Sequence, residues 1–318
     1  MVNGQRKNSD TTMVPETGGQ DKAAVVHMPG PLAQQWGKGR AVMAGVWSSP
    51  EGRLGLCIVI FFIGVAIFAN FVAPYDPYEQ SIRDRYAAPS WAHPFGTDYL
   101  GRDILSRMVY GSRTSMYVAF GTNILSVAVG VFLGMLAGRN KGNAIDYSII
   151  LMFDMIRSFP QILLALAIVA VLGPSLTNVV LALSFTLFPF YGRIARTQTL
   201  SLMEAPFIKA GQAMGVGTMR LMGRHIAPNI MAPILVAWGM EMTNMIIYEA
   251  GLSFLGLGIA PPGASWGNML RKGLDAIYVA PWMIIFPSLV LFVGMLGFTL
   301  LSTGLRIGLD PHERRSED

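Results

Sequence analysis

The chain has 318 residues, of which 52% are apolar and only 14% are charged. An average soluble domain has about a quarter of its residues charged, so this composition argues against an ordinary soluble protein and favours a membrane protein. The net charge of +5 requires no nucleic acid as a partner, because positively charged inner loops of a membrane protein account for it.

The first 50 residues are polar, mixed in charge and rich in Gly, Ser, Thr and Gln. They lack the apolar run that a cleavable signal peptide needs near its start. We therefore expect residues 1–52 to form a disordered cytoplasmic tail, with the first apolar span behind it as an uncleaved anchor. The single cysteine, Cys57, lies in that span, so the chain cannot form an internal disulfide.

Six apolar windows predict an all-α membrane protein with six transmembrane helices. A hydrocarbon core of about 30 Å takes about 20 residues of helix, and backbone groups in lipid must be paired within the segment. The predicted spans are Leu54–Ala73, Ser115–Ala137, Ile145–Leu172, Leu176–Tyr191, Ile230–Leu255 and Trp282–Leu301. With their loops they make a transmembrane domain over residues 53–311, and residues 312–318 follow as a cytoplasmic tail.

Lysine and arginine in the short loops predict the orientation. With the N-terminus inside, the inner loops contain Arg139, Lys141, Arg193, Arg196, Lys209, Arg220 and Arg224. The outer turn 173–176 contains none, the outer loop 256–281 contains only Arg271 and Lys272, and the long outer loop 74–113 is balanced in charge. We therefore expect both termini in the cytoplasm.

The long outer loop has the pattern of an ordered segment. Beyond Arg102, apolar residues recur at helical spacing from Ile104 to Val109, which predicts an interfacial helix that leads into the second span. Asp98 precedes this helix and is expected to cap it or to lie near its positive end. A direct role for Asp98 in accepting substrate is the alternative.

Several charged residues fall inside the predicted spans. Asp154 and Arg157 are three residues apart in the third span, where they can form a structural ion pair or take part in gating; Pro160 after them is expected to kink the helix. Glu249 lies deep in the fifth span, two turns after Glu241. Ionisable side chains at this depth are costly and face protein or water. The sequence therefore leaves pathway lining and buried packing open for both glutamates.

Glycines mark one face of the second span. Gly130, Gly134 and Gly138 follow each other at intervals of four residues. Small residues at this spacing allow the backbones of two membrane helices to approach closely. We expect a neighbouring helix to pack on this face.

The chain shows no sign of chemistry of its own. No segment fits the G-x-x-x-x-G-K-[ST] pattern that cradles phosphates. The histidines, His27, His93, His225 and His312, are scattered, without a cysteine or second histidine at ligand spacing. We expect no catalytic residues, no metal site and no cofactor in this chain.

The inner loop 199–229 has the pattern of two short helices around a glycine turn. Pro206–Met214 can form two to three helical turns, and Gly215 suits the left-handed conformation that follows a helix. Met219–Ile226 can form a second short helix, which we expect to end at Pro228.

One side of the first short helix carries an apolar stripe. Phe207, Ala210 and Met214 follow the spacing i, i+3 and i+7. Such a stripe fits a cleft on another protein, and an amphipathic helix on the lipid surface is the alternative.

These residues resemble the permease subunit, of the second type, of binding-protein-dependent ABC importers in the dipeptide, oligopeptide and nickel family. In that family the loop before the penultimate helix reads E-A-A-x-x-x-G, with a proline further on. Here Lys209-Ala210-Gly211 stands at the E-A-A position, Gly215 is the glycine, and Arg224-His225 precedes Pro228. Lys209 for Glu and Gly211 for Ala are departures from the pattern.

The resemblance extends from about Leu54 to Pro311. The run from Phe95 to Asp103 is similar to the family signature before the second helix. The segments 252–258 and 265–267 are similar to the outer end of the fifth helix, and residues 304–311 are similar to the family's tail.

The resemblance implies the type I importer architecture in the bacterial inner membrane. A homologous second permease would enclose one pathway with this chain, two cytoplasmic ABC ATPases would bind the inner loops and hold ATP and Mg²⁺, and an extracytoplasmic binding protein would deliver the substrate. It implies ATPase coupling through Phe207, Lys209, Ala210, Gly211, Met214, Gly215, His225 and Pro228. On the outer side, within 75–113 and 258–272, it implies contact of the binding protein with Asp98, Arg102 and Trp266.

Two other classes remain open at this stage. One is a self-contained secondary transporter or channel that uses Glu249 as an ion or proton site. The other is a membrane scaffold. The sequence also leaves open whether the cargo is a dipeptide, a longer peptide, a nickel chelate, glutathione or another solute, and whether the two ATPases are identical.

Overall fold

The computed structural model describes residues 44–309, so the expected tail at 312–318 and most of the tail at 1–52 lie outside the described residues. The helices are α1 Pro50–Ile67, α2 Ala69–Val72, α3 Ile104–Arg139, α4 Ala144–Arg157, α5 Gln161–Leu172, α6 Leu176–Met203, α7 Pro206–Ala213, α8 Thr218–Leu221, α9 Ala227–Phe254, α10 Trp266–Asp275 and α11 Trp282–Leu309. A π-helix, Met222–Ile226, joins α8 to α9. The described part contains no β-strand, only an isolated bridge between Thr97 and Asp103.

Helices long and apolar enough to cross a membrane confirm the predicted all-α membrane class. Five qualify individually: α1, α3, α6, the continuous helix Thr218–Phe254, and the last helix over Trp282–Gly308. The pair α4 and α5 qualifies as a sixth span, bent by 86° at its break. The bend lies at Pro160, as predicted, because proline has no N–H to donate and disfavours helical backbone in the preceding residue.

The beginning of the described chain corrects the prediction of a disordered tail. Residues 44–48 are helical, and Val46 is fully buried. Ser49 caps α1 by accepting a hydrogen bond of 3.1 Å from the N–H of Gly52. A Cβ on Gly45 would lie 2.2 Å from the Cα of Gly308, so this segment packs backbone to backbone against the end of α11. The apolar run that ends at Trp47 is too short to predict a membrane span, and Ser48, Ser49 and Pro50 separate it from the first predicted span.

The glycine face of α3 packs on α6, as predicted. A Cβ on Gly134 would lie 2.1 Å from the carbonyl oxygen of Gly192, and a Cβ on Gly138 would lie 2.8 Å from the Cβ of Thr199. A Cβ on Gly130 would lie close to an earlier turn of α6 than the one that Gly134 contacts. The contacts advance in the same direction along both helices, so α3 and α6 run parallel and end on the same side.

The start of α3 is the helix that the outer-loop pattern predicted. At 36 residues and 1.5 Å per residue, α3 is about 54 Å long, well beyond a hydrocarbon core. Its cap corrects one prediction: the N–H of Ser106 donates to the carboxylate of Asp103 at 2.8 Å, not to Asp98. Asp98 instead accepts hydrogen bonds from the backbone N–H and the guanidinium of Arg102.

The main core lies where α3, α6 and α9 meet α1 and α11. Tyr191, Leu183, Met242 and Phe298 are among its fully buried side chains. The hydroxyl of Tyr191 donates to Asn123 at 2.6 Å. The core therefore fixes these helices to one another behind the surfaces described next.

Candidate coupling loop and outer segment

The predicted inner helix is present with its predicted turn. Helix α7 covers Pro206–Ala213, with the proline in its first turn, where a missing N–H costs nothing. Gly215 follows with φ +76, the left-handed conformation that glycine adopts without strain. The N–H of Val216 then donates to the carbonyl of Gly211 at 3.0 Å. This bond closes the turn that leads into α8.

The inner face of α7 belongs to a small core of its own. Ile208 is fully buried, in a cluster with Ala195 of α6 and with Leu221 and Ile226 of the following segment. A Cβ on Gly211 would lie 3.1 Å from a methyl group of Leu221. Gly211, a departure from the family pattern, therefore stands where α7 approaches its neighbour closely.

The outer face of α7 is exposed and largely apolar. Phe207 is 49% exposed and Met214 is 77% exposed, and Ala210 lies between them on the same exposed side. The predicted stripe therefore points away from the chain. Because the opposite face is fixed to α6 and α9, a force applied to the stripe reaches the membrane helices.

Lys209 has an acidic partner of its own. Its ammonium lies 2.8 Å from the carboxylate of Glu204, and this ammonium holds the pKa of Glu204 below its ordinary value. Both side chains are exposed, so the pair contributes little to stability. At this position the chain therefore presents an ion pair in place of the family's glutamate.

The second short helix differs from its prediction. It does not end at Pro228, because α8 continues through the π-helix directly into α9. Pro228 occupies the first turn of α9, a position where proline is tolerated. His225 is partly buried, and its carbonyl accepts a hydrogen bond from Asn229. The inner loop thus continues without a break into α9, as part of the continuous helix Thr218–Phe254.

The outer residues named from the sequence are enclosed within this chain. Trp266 is fully buried, Arg102 is 5% exposed and Asp98 is 6% exposed. Asp98 also lies 3.7 Å from Arg107, whose guanidinium donates to the carbonyl of Pro77 at 2.9 Å. The charges of Asp98, Arg102 and Arg107 therefore pair with each other and hold the outer loop in shape.

Trp266 joins α10 to α3. Its indole Nε1 donates to the carbonyl of Met108 at 3.1 Å, and its ring would contact a Cβ on Gly111 at 2.7 Å. The hydroxyl of Thr114 donates to the carbonyl of Ala264 at 2.8 Å. The outer loop and the long helix are therefore fastened together at two points.

Glu249 is enclosed between helices of this chain. The side chain is almost fully buried, with Glu249 1% exposed. The carboxylate accepts hydrogen bonds from Ser115 at 3.1 Å and Ser253 at 2.7 Å. The bond from Ser115 ties α9 to α3, and the bond from Ser253 lies within α9. Glu241 differs, because it is only half-buried.

The predicted pair of Asp154 with Arg157 is wrong. Asp154 pairs with Arg193 of α6, while the guanidinium of Arg157 lies over the ring of Phe190 at 5.8 Å. Arg193, assigned to an inner loop from the sequence, lies within α6. The apolar run of the fourth span ends at Tyr191, which hid the further turns of this helix.

Two known families match the chain. Residues 130–315 match a family described as "Binding-protein-dependent transport system inner membrane component". Residues 52–89 match a family described as "N-terminal TM domain of oligopeptide transport permease C". Residues 90–129 lie between the two matches.

Similar proteins are transport permeases by name. The dipeptide transport system permease protein DppC of Alkalihalophilus pseudofirmus is 42% identical, over 81% of this chain and 84% of the relative. The di/tripeptide permease DppC of Pseudomonas aeruginosa is 37% identical, over 89% and 93%. The glutathione transport system permease protein GsiD of Pectobacterium atrosepticum is 39% identical, over 80% and 84%.

A solved structure shares the fold. An inward-facing form of the MetNI methionine ABC transporter matches with a TM-score of 0.51, over 64% of this chain and 96% of the matched chain. The identity is 18%. The likeness therefore bears on architecture alone.

Proposed function

The chain belongs to the inner membrane components of binding-protein-dependent transport systems, and we propose that it is the pore-forming permease of an ATP-driven importer of short peptides or a related small solute. The names of its relatives support this cargo class. The observation that carries the coupling mechanism is the exposed stripe of α7 on a helix whose other face is packed into the chain.

The stripe formed by Phe207, Ala210 and Met214 is the surface on which we place the ATPase. A helix that presents apolar residues at this spacing fits a cleft on a partner. Its buried side chain, Ile208, contacts α6 and the start of α9, so displacement of α7 moves both helices. The conformations that the ATPases adopt in two nucleotide states would then favour two conformations of the pore.

The assembly that we propose contains more than this chain. A homologous permease completes the pathway, and two cytoplasmic ATPases hold ATP and Mg²⁺ and contact the loop at 199–229. Both termini then lie in the cytoplasm, as the Lys and Arg distribution favours.

We place the binding protein on the opposite side, on exposed parts of the outer segment. Trp91 and Tyr278 are fully exposed, and Ile82 is 84% exposed. Aromatic side chains are typical anchors of protein interfaces. These residues replace the enclosed Asp98, Arg102 and Trp266 as candidate contacts.

The alternative of a self-contained secondary transporter finds less support. It relied on Glu249 as an ion or proton site, but the Glu249 carboxylate is enclosed and occupied by serine hydroxyls.

Reconstitution of the complete transporter tests the proposal. The chain, its partner permease, both ATPases and the binding protein are placed in proteoliposomes, and accumulation of a labelled dipeptide is measured with and without ATP. We expect uptake to need ATP and all subunits, and to stop when the phosphate-binding lysine of the ATPases is replaced. Uptake without the ATPases, abolished by collapse of a proton gradient, would contradict the proposal.

A further inference from the structure

Four charged side chains form a cluster at membrane depth. Asp154 and Arg193 form an ion pair between α4 and α6. Arg157 lies one turn after Asp154, over the ring of Phe190. Glu241 of α9 lies at the same level, because its neighbour Met242 and the Tyr191 next to Phe190 both contact Asn123. We name Asp154, Arg157, Arg193 and Glu241 the mid-membrane charge cluster.

The depth of the cluster follows from helix geometry. At 1.5 Å per residue, Arg157 lies about 20 Å along α4 from Ala144, and Glu241 lies about 21 Å along α9 from Ala227. Arg193 lies about 15 Å before the end of α6 at Met203. All three distances are measured from the side on which α3 and α6 end. The three values differ by about one helical turn, so the charges lie at similar depth within the candidate membrane spans.

The cluster is open at the surface of the chain. The side chains of Asp154 and Arg193 are 52% and 46% exposed, Arg157 is exposed, and Glu241 is half-buried. Within residues 44–309, no carboxylate lies within salt-bridge distance of Arg157, and no basic group lies within that distance of Glu241. Glu241 has a hydrogen-bond partner in Asn244 of its own helix, whereas Glu249 is enclosed and bonded to two serine hydroxyls.

A lipid environment does not suit this surface. Ionised side chains in hydrocarbon are costly, and inside membranes they face protein or a water-filled cavity. Other surfaces at similar depth are apolar: Ile60 of α1 is 59% exposed and Phe292 of α11 is 58% exposed. The chain therefore has an apolar face for lipid and a separate face where charges can be hydrated.

We propose that the mid-membrane charge cluster lines the translocation pathway and that Arg157 and Glu241 receive the two ends of a zwitterionic solute. Arg157 binds the carboxylate and Glu241 binds the ammonium group, while the Asp154–Arg193 pair holds the wall on which Arg157 stands. The cluster has no net charge, so a solute with one positive and one negative end complements it. This inference rests on the proposed function and names residues of its pathway.

Cysteine accessibility tests whether the cluster faces water. Cys57 is the only cysteine, so Cys57→Ser gives a background for Glu241→Cys and Arg157→Cys, with Ile60→Cys and Phe292→Cys as controls of similar depth. The complete transporter in membrane vesicles is treated with anionic and cationic methanethiosulfonate reagents that do not cross lipid. We expect labelling at 241 and 157 and none at the controls.

The sign of the local charge provides the sharper readout. With Arg157 in place, the cysteine at 241 should react about tenfold faster with the anionic reagent, because a confined charge concentrates ions of opposite sign. The cysteine at 157 should prefer the cationic reagent, because Glu241 remains. No labelling at either position, or labelling without charge preference, would overturn the inference.

Transport by charge-neutral variants gives an independent measurement. Glu241→Gln should lower dipeptide uptake about tenfold, the equivalent of one hydrogen bond to a charged group, and Glu241→Asp should recover part of it. ATPase stimulation by the loaded binding protein should persist. If the wild-type complex takes up dipeptide and Glu241→Gln takes it up equally well, the inference is overturned. If the wild-type complex itself shows no ATP-dependent uptake, the proposed function is overturned.

Discussion

The indole nitrogen of Trp266 lies 3.1 Å from the carbonyl oxygen of Met108, so a residue after α9 is bonded to the first turns of α3. The ring also makes an edge-to-face contact with Phe62 of α1 at 5.6 Å between centroids. A single side chain thus connects three parts of the molecule at its outer end.

Removal of this side chain should destabilise the protein strongly. Trp266→Ala leaves a cavity where a fully buried ring was, and we expect a loss of about 3–5 kcal/mol in the free energy of unfolding. Trp91→Ala is the matched control, because Trp91 is fully exposed, and it should change stability by less than about 0.5 kcal/mol. Thermal inactivation in detergent checks both, and similar shifts for the two variants would disprove the assignment.

Addition of one methyl group to Gly134 should separate α3 from α6. Its Cβ would lie 2.1 Å from a backbone oxygen, and such crowding typically costs about 1–3 kcal/mol. Gly64→Ala is the control, because nothing lies within 4 Å of a Cβ there and alanine favours a helix by up to about 1 kcal/mol. The two substitutions should therefore shift the melting temperature in opposite directions; a shift of the same sign would refute this packing.

A side chain at Gly215 should uncouple ATP hydrolysis from transport. Its φ of +76 is strained for valine by about 1–2 kcal/mol, so Gly215→Val should displace α7 while the protein stays in the membrane. Gly217→Val is the control, because Gly217 has φ −57 and open space around it. The ratio of peptide imported to ATP hydrolysed measures coupling. A normal ratio in Gly215→Val would count against the coupling role.

The pair of Asp146 and Arg196 should be energetically coupled. Two hydrogen bonds, of 2.7 and 2.8 Å, join the carboxylate to the guanidinium, and the N–H of Gly142 donates to the same carboxylate. A double-mutant cycle with Asp146→Asn and Arg196→Gln should give a coupling of about 1–3 kcal/mol.

The exposed pair of Glu204 and Lys209 provides the comparison for that cycle. Its coupling should be smaller than that of Asp146 and Arg196, because water screens both exposed charges. Equal coupling energies for the two pairs would show that the bidentate geometry of Asp146 and Arg196 does not strengthen their interaction.

Features of the fold that follow from local sequence patterns were predictable. The apolar windows, the glycine face of α3, the break at Pro160 and the left-handed turn at Gly215 each depend on one local rule. The helix Pro206–Ala213 followed from its flanking proline and glycine. These features need no knowledge of what the segment packs against.

Partner choice among charged side chains was not predictable. Asp154 had Arg157 three residues away but pairs with Arg193, which is 39 positions further on. Asp103 directly precedes Ile104 and caps α3, whereas Asp98 is paired with Arg102 and Arg107 through the packing of the outer loop. The sequence offered no way to distinguish Glu249 from Glu241. Glu249 is enclosed by serines from two helices, whereas Glu241 is half-buried. Such outcomes depend on tertiary contacts that local patterns do not encode.

The contact between Gly45 and Gly308 has a topological consequence. Helices α1 and α11 run antiparallel, and the start of α1 lies beside the end of α11. Both ends of the described chain therefore lie on the same side of the membrane. A path that returns to its starting side crosses an even number of times, so the bent pair α4–α5 must count as a crossing and not as a re-entrant loop. A reporter fused at either end would locate both.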